Sequence, residues 1–325
     1  MKKLLKFAIL LAIIPMLSIS SCKKDNTTEP VERQTDPEFQ TLTTYMAANS
    51  MDLSAVVTDW ITSASAVAGS EANYYIIDLR SADAYNAGHI TGAVNSTLAN
   101  VITTAANNGG KPILVACYTG QTAGHAVCAL RLSGYPTAKV LMWGMSGWNS
   151  SLSASWTGGT GDVALSSANW TDAPGAIVDN VEFDDPDLTT TATTGATMLA
   201  ERVAAMLNTG FQGITATDVL ANPAGFFINN YWAEADVETY GNITGAHRIN
   251  PLTIAGGEYK YLDPEQTIVT YCWTGQTSSV ITAYLNVIGY TASSLKFGAN
   301  SMIYSDLTAH KWDATTVVDN TLVTK

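Results

Sequence analysis

The chain has 325 residues, 46% of them apolar, which gives room for two domains of about 100 to 150 residues, each with a buried core. A formal charge of −12 argues against nucleic acid as a partner. It also means that any anionic substrate must be drawn in by local backbone dipoles, because the global field repels it.

In chain order, residues 1–21 read as an export signal: Lys2, Lys3 and Lys6, an apolar stretch from Phe7 to Leu17, then small residues up to Ser21. The stretch is too short for a membrane span, which needs about 20 apolar residues. Ile19-Ser20-Ser21-Cys22 resembles the cleavage box of a bacterial lipoprotein signal, which implies that Cys22 becomes the lipid anchor and that the protein sits in the cell envelope, on the membrane through that anchor only. Removal of the three lysines from the −12 total leaves −15 on the mature chain. Residues 22–37 are polar and aperiodic, as expected of a tether.

Residues 38–150 and 195–325 are expected to be two copies of one domain, separated by a linker over 151–194 rich in glycine, threonine and acidic residues. Gly88-His89-Ile90-Thr91-Gly92-Ala93 recurs as Gly241-Asn242-Ile243-Thr244-Gly245-Ala246, and Cys117-Tyr118-Thr119-Gly120-Gln121-Thr122 as Cys272-Trp273-Thr274-Gly275-Gln276-Thr277, at offsets of 153 and 155. In each copy, short β-rich runs alternate with helical patterns: strands over 74–77 and 113–116 with a helix over 123–132, then strands over 226–228 and 267–270 with a helix over 278–287. This alternation predicts an α/β fold, in which ligands sit beyond the carboxyl ends of the strands.

Cys117 and Cys272 each end a predicted strand and precede a predicted helix, with Thr122 or Thr277 as the expected cap of the first turn. A helix N-terminus offers unpaired N–H groups and the positive end of the dipole, so each thiol is expected to have a lowered pKa and to act as a nucleophilic thiolate. Cys128 lies farther along the first predicted helix and reads as core; with His125 and Cys117 it lacks metal-ligand spacing. The aromatic residues Trp143, Trp148, Phe297 and Tyr304 read as core or wall.

Asp78-Leu79-Arg80, the Gly88–Ala93 run and the Cys117 loop together resemble the signatures of the rhodanese (sulfurtransferase) family. That resemblance implies two rhodanese-like domains, each a mostly parallel central sheet with helices on both faces. It implies Cys117 and Cys272 as nucleophiles and sulfur carriers, without metal or cofactor, taking sulfane sulfur from a small sulfur-containing anion or a persulfide donor and passing it to a thiol or cyanide. Tyr118, Thr119, Gly120, Gln121 and Thr122, with Trp273, Thr274, Gly275, Gln276 and Thr277, would form the substrate cradles. Asp78, Arg80 and His89 would be scaffold. Both loops lack the arginines common in the family, which points to a substrate less charged than thiosulfate, or to an aromatic one stacking on Tyr118 or Trp273. The second copy has Asn229-Asn230-Tyr231 where the first has Asp78-Leu79-Arg80. An alternative from another class is a non-catalytic envelope module that binds an anion or a partner on the same scaffold.

Overall fold

The computed structural model describes residues 33–325, which form one compact unit. The signal, Cys22 and most of the tether lie outside the described residues. The first half is an all-parallel sheet of β1 (Ile61–Thr62), β2 (Tyr75–Asp78), β3 (Val94–Asn95), β4 (Ile113–Ala116) and β5 (Lys139–Leu141), in the order β1-β5-β4-β2-β3. After β6 (Trp170–Thr171), the second half builds a parallel sheet from β7 (Gly213–Ile214), β8 (Phe227–Asn230), β10 (Ile268–Tyr271) and β11 (Ala292–Leu295), in the order β7-β11-β10-β8. The remaining strand, β9 (Asn242–Ile243), pairs antiparallel with β6.

Strand alternation sends the side chains of each sheet to two faces. On β2 and β4, Ile77, Ile113 and Val115 enter one apolar core, whereas Ile76, Leu114 and Ala116 enter another with Tyr85, Ile90, Met145 and Trp148. On the second sheet, Phe227 and Ile268 join the same core as Ile77 and Val115, while Ile228, Val269 and Tyr271 cover the opposite face with Trp232 and Leu295. The halves therefore share a central core, and each keeps a smaller core of its own on the outer face of its sheet. Helices Pro37–Ala48, Gln121–Leu132, Gly195–Thr209 and Gln276–Val287 supply its middle layer through Phe39, Leu42, Val127, Leu130, Met198, Val203, Ile281 and Tyr284.

The segment expected to be a linker is part of the folded body. Trp156, Trp170 and Leu188 are buried, Ala164 N–H donates to Met302 O at 3.0 Å, and Val178 bridges to His247. Asp185, one of the acidic residues of that segment, is buried against the Arg33 guanidinium and accepts from Gln40 Nε2 at 2.6 Å. The end of the expected tether is likewise fixed: Asp36 caps the helix that starts at Pro37, accepting from Phe39 N–H at 2.7 Å. The last residues of the expected second domain return to the first half. Val323 and His89 exchange backbone bonds of 2.9 and 3.0 Å, and Trp148 Nε1 donates to Thr321 O. Low average hydrophobicity hid these contacts, because a few large residues do the anchoring.

Candidate active site

Each candidate cysteine follows its strand directly: Cys117 after β4, Cys272 after β10. The helices begin at Gln121 and Gln276, two residues earlier than the sequence pattern suggests, and the residues at their caps are Gly120 and Gly275 with φ of 85° and 74°. Thr122 and Thr277 therefore do not cap. Left-handed backbone favours glycine there, and the turn points the loop amides back at sulfur. Gly120 and Ala123 N–H donate to Cys117 Sγ at 3.1 and 3.4 Å. In the second loop Ser278 N–H donates to Cys272 Sγ at 3.3 Å, and the thiol faces Ser278 Oγ at 3.6 Å, which pairs with Ser294 Oγ at 2.7 Å.

The expected low thiol pKa is not found at Cys117. Its side chain is only 4% exposed, and burial pushes the thiol up, more than the Ala123, Thr119 and Gly120 amides pull it down. Dipoles favour the thiolate, but removing a charge from water costs more than these three bonds return. Cys128, inside the helix that follows, is fully buried, and burial pushes its thiol up as well. Cys117, Cys128 and Cys272 are all free thiols.

Behind each loop stands a turn that the sequence reading missed as part of the site. Trp143, at φ 63°, leads into Gly144 and Met145, whose N–H donates to Cys117 O at 2.8 Å; Phe297, also at φ 63°, leads into Gly298 and Ala299, whose N–H donates to Cys272 O at 3.0 Å. A Cβ on Gly144 would stand 2.7 Å from the amides of both Thr119 and Gly120, so only glycine lets the turn approach. Ser146 Oγ and Asn300 Nδ2 complete the support by donating to Tyr118 O and Trp273 O at 2.9 and 2.8 Å. The sequence signal was present, since Trp143-Gly144 and Phe297-Gly298 sit at an offset of 154.

Other expected cradle residues take different roles. Gln121 and Gln276 are buried and point across the seam between the halves, accepting from Phe297 N–H at 2.9 Å and Trp143 N–H at 3.1 Å. Each side-chain oxygen is thereby engaged across the seam. Thr119 and Thr274 bond within their own loops, through Gln121 Nε2 at 3.0 Å and Gln276 N–H at 3.4 Å. Thr122 and Thr277 are partly exposed on the first helical turns. Tyr118 is exposed, whereas Trp273 is already stacked between Trp232, at 4.4 Å and 8°, and His310, at 5.4 Å. Trp273 thus has no open face of the kind an incoming aromatic needs.

Of the three residues assigned to the scaffold, Asp78 and Arg80 pair directly. Arg80 and Asp78 form a buried pair with contacts of 2.6 and 3.1 Å, Arg80 Nη2 also donates to Gly88 O, and its guanidinium lies 5.8 Å from the centre of the Tyr118 ring. His89 stacks on Tyr85 at 3.8 Å. In the second half the matching position is offset by one from the sequence pairing. Register pairs Asp78 with Ala116 and Asn230 with Tyr271, each partner preceding its cysteine; Asp78 and Asn230 both accept from the N–H two residues on, at 3.0 Å. Asn230 thus corresponds to Asp78, and Trp232 to Arg80. The Arg80–Tyr118 contact becomes the Trp232–Trp273 stack.

Among the described residues no group of three or more histidine, cysteine or acidic side chains is placed to hold a metal ion. No curated protein matches the chain. Solved structures with local similarity include the 3-mercaptopyruvate sulfotransferase SseA from Escherichia coli (16% identity, 73% of this chain and 98% of that one, TM-score 0.29). Another is the thiosulfate sulfurtransferase from Pseudomonas aeruginosa (14% identity, 86% and 48%, TM-score 0.28). A third is a rhodanese-related protein from Thermoplasma volcanium (19% identity, 27% and 89%, TM-score 0.26). At such scores these likenesses carry no functional weight. The specific finding is a match of residues 62–151 to the family described as the rhodanese-like domain, a stretch that contains Asp78, Arg80, His89 and the whole Cys117 loop.

Proposed function

We propose that the protein is an envelope sulfurtransferase that carries sulfur on a cysteine persulfide, with Cys117 as the principal carrier. The observation that supports this most is the Cys117 thiol at the head of a 12-residue helix, receiving two loop amides at 3.1 and 3.4 Å inside the matched stretch. The thiol loses its proton and attacks the outer sulfur of a donor; the donor's S–S bond breaks and its remainder leaves with the electron pair, as sulfite from thiosulfate. The persulfide anion is then held by the amides of Gly120 and Ala123. A thiophilic acceptor, cyanide or a thiolate, attacks the terminal sulfur and the cysteine thiolate is released. Because neither loop carries a cation, a donor less charged than thiosulfate suits this site better, since the charge-assisted contacts thiosulfate would lose are worth about 1.5 to 3 kcal/mol each. Anchoring at Cys22 would hold the whole chain at a membrane surface, with residues 23–32 as the remaining tether.

A second reading is favoured by a specific observation. The raised Cys117 pKa and its 4% exposure suit a module that binds an anion or a partner without turnover. Intact mass spectrometry after polysulfide and then cyanide separates the two. Gain of about 32 Da, one sulfur atom, removable by cyanide and lost in Cys117→Ser, is the expected result. Free, alkylatable thiols that never gain sulfur from thiosulfate or polysulfide would sink the enzyme and leave the binding module.

A further inference from the structure

The two glutamines cross between the halves in a pattern that neither loop needs for its own closure. Gln121 belongs to the Cys117 loop, yet its Oε1 accepts at 2.9 Å from Phe297 N–H, in the turn that backs Cys272. Gln276 belongs to the Cys272 loop, yet its Oε1 accepts at 3.1 Å from Trp143 N–H, in the turn that backs Cys117. Each amide so held sits two residues before the N–H that bonds the cysteine carbonyl, Ala299 to Cys272 and Met145 to Cys117. Room for the crossing is made by glycine. A Cβ on Gly120 would stand 2.6 Å from Gln276 Oε1, and one on Gly275 would stand 2.5 Å from Gln121 Oε1. Both glutamine side chains are buried, so neither bond competes freely with water.

We infer that Gln121 and Gln276 are crossed positioning residues, each fixing the closed geometry of the cysteine in the opposite half, so that opening of one loop loosens the turn behind the other. Trp143 holds the turn whose glycine lies against the Thr119 and Gly120 amides. Losing its acceptor loosens the turn that backs Cys117 from outside that cysteine's own loop. The same step runs from Gln121 through Phe297 and Gly298 to Cys272. Neither glutamine touches a reacting atom. This inference does not rest on sulfur transfer, since it concerns thiol exposure alone.

The test is iodoacetamide labelling of the full chain across a range of pH, resolved by peptide mass spectrometry for each cysteine, with Gln276→Met and Gln121→Met. In Gln276→Met, Cys117 is expected to label about fivefold faster, the factor one hydrogen bond of ordinary worth puts into an opening equilibrium. Its pH midpoint should also fall toward the ordinary thiol value, because exposure relieves desolvation. The change at Cys272 should be smaller; in Gln121→Met the pattern should reverse. Cys128 is fully buried, so its labelling reports global unfolding. A response confined to the cysteine of the mutated loop, or none at either, overturns the inference. Should the variants not fold, amide exchange on the Cys117→Ser chain, in which Cys272 is the loop thiol left to modify, decides instead. Methylthiolation of Cys272 must displace its closed loop, so exchange at the Trp143 amide should quicken; unchanged protection there overturns the crossed coupling.

Discussion

At the scale of single residues, the two halves solve one problem with different chemistry. Asp78 and Arg80 are a buried ion pair beneath the first loop, and Asn230 with Trp232 is its uncharged counterpart beneath the second. Removing one member of a buried pair leaves a charge that has lost both water and partner, at a cost of about 3 to 5 kcal/mol. Arg80→Leu should therefore lower the urea midpoint by a corresponding amount. The double change Asp78→Asn with Arg80→Trp, which copies the second half, should recover most of the loss. A double variant no more stable than Arg80→Leu would mean that the two environments are not equivalent. The residues carrying this site were legible in the sequence as types: cysteine, glycine and the Asp-x-Arg pair. The assignment of Asn229 to the place of Asp78 was off by one because Asn229 and Asn230 are adjacent and chemically identical, and only strand register tells them apart.

At the scale of elements, the Gln121 and Gln276 helices meet closely enough that Gly124 has no room for a side chain. A Cβ there would lie against Ser279 Oγ and 3.0 Å from the backbone oxygen of Gln276. Ser279 Oγ is itself held by that same oxygen at 2.7 Å. Alanine is the better helix former by up to about 1 kcal/mol, yet overpacking commonly costs about 1 to 3 kcal/mol, and a backbone oxygen cannot swing aside as a side chain can. Gly124→Ala is expected to lose about 1 to 2 kcal/mol in urea unfolding; a gain would show that the helices part easily. Strands β2, β4, β8 and β10 and both helices were expected to within a few residues, because their apolar runs are dense. The short edge strands were not, since two residues such as Gly213–Ile214 hold no period to read. The caps were misplaced for a different reason. Threonine is a good cap by type, but the left-handed glycine before the glutamine had already started the helix.

At the scale of the whole molecule, the shared core makes the halves one folding body, and His125 sits on it as an acid-sensitive point. Its ring is fully buried beside the second half, edge-on to Phe211 at 5.8 Å, and both ring nitrogens lack partners. Burial lowers its pKa from 6.5 to about 4. Between those two values the unfolded chain holds the proton and the folded chain does not, so acid favours unfolding. The stability present above pH 6.5 should be lost progressively as pH falls to about 4, by up to about 3 kcal/mol. His247, also lowered by burial, adds in the same direction. Urea unfolding at a series of pH values should show this slope in the wild type and a clearly shallower one in His125→Leu. An equal slope in both would place the acid sensitivity elsewhere.

The sequence by itself determined the repeated α/β plan, the two loop cysteines and the glycines that let each loop turn. Those features are local: an apolar run makes a strand, and a left-handed turn selects glycine wherever it occurs. Tertiary structure alone decided that the halves share a core, that the acidic segment around Asp185 is anchored, and that the chain end returns to His89. It also decided that Gln121 and Gln276 serve the opposite half, and that Cys117 has a raised pKa instead of a lowered one. A helix N-terminus can be read from spacing, but desolvation depends on everything packed around the sulfur, most of it far away in the chain.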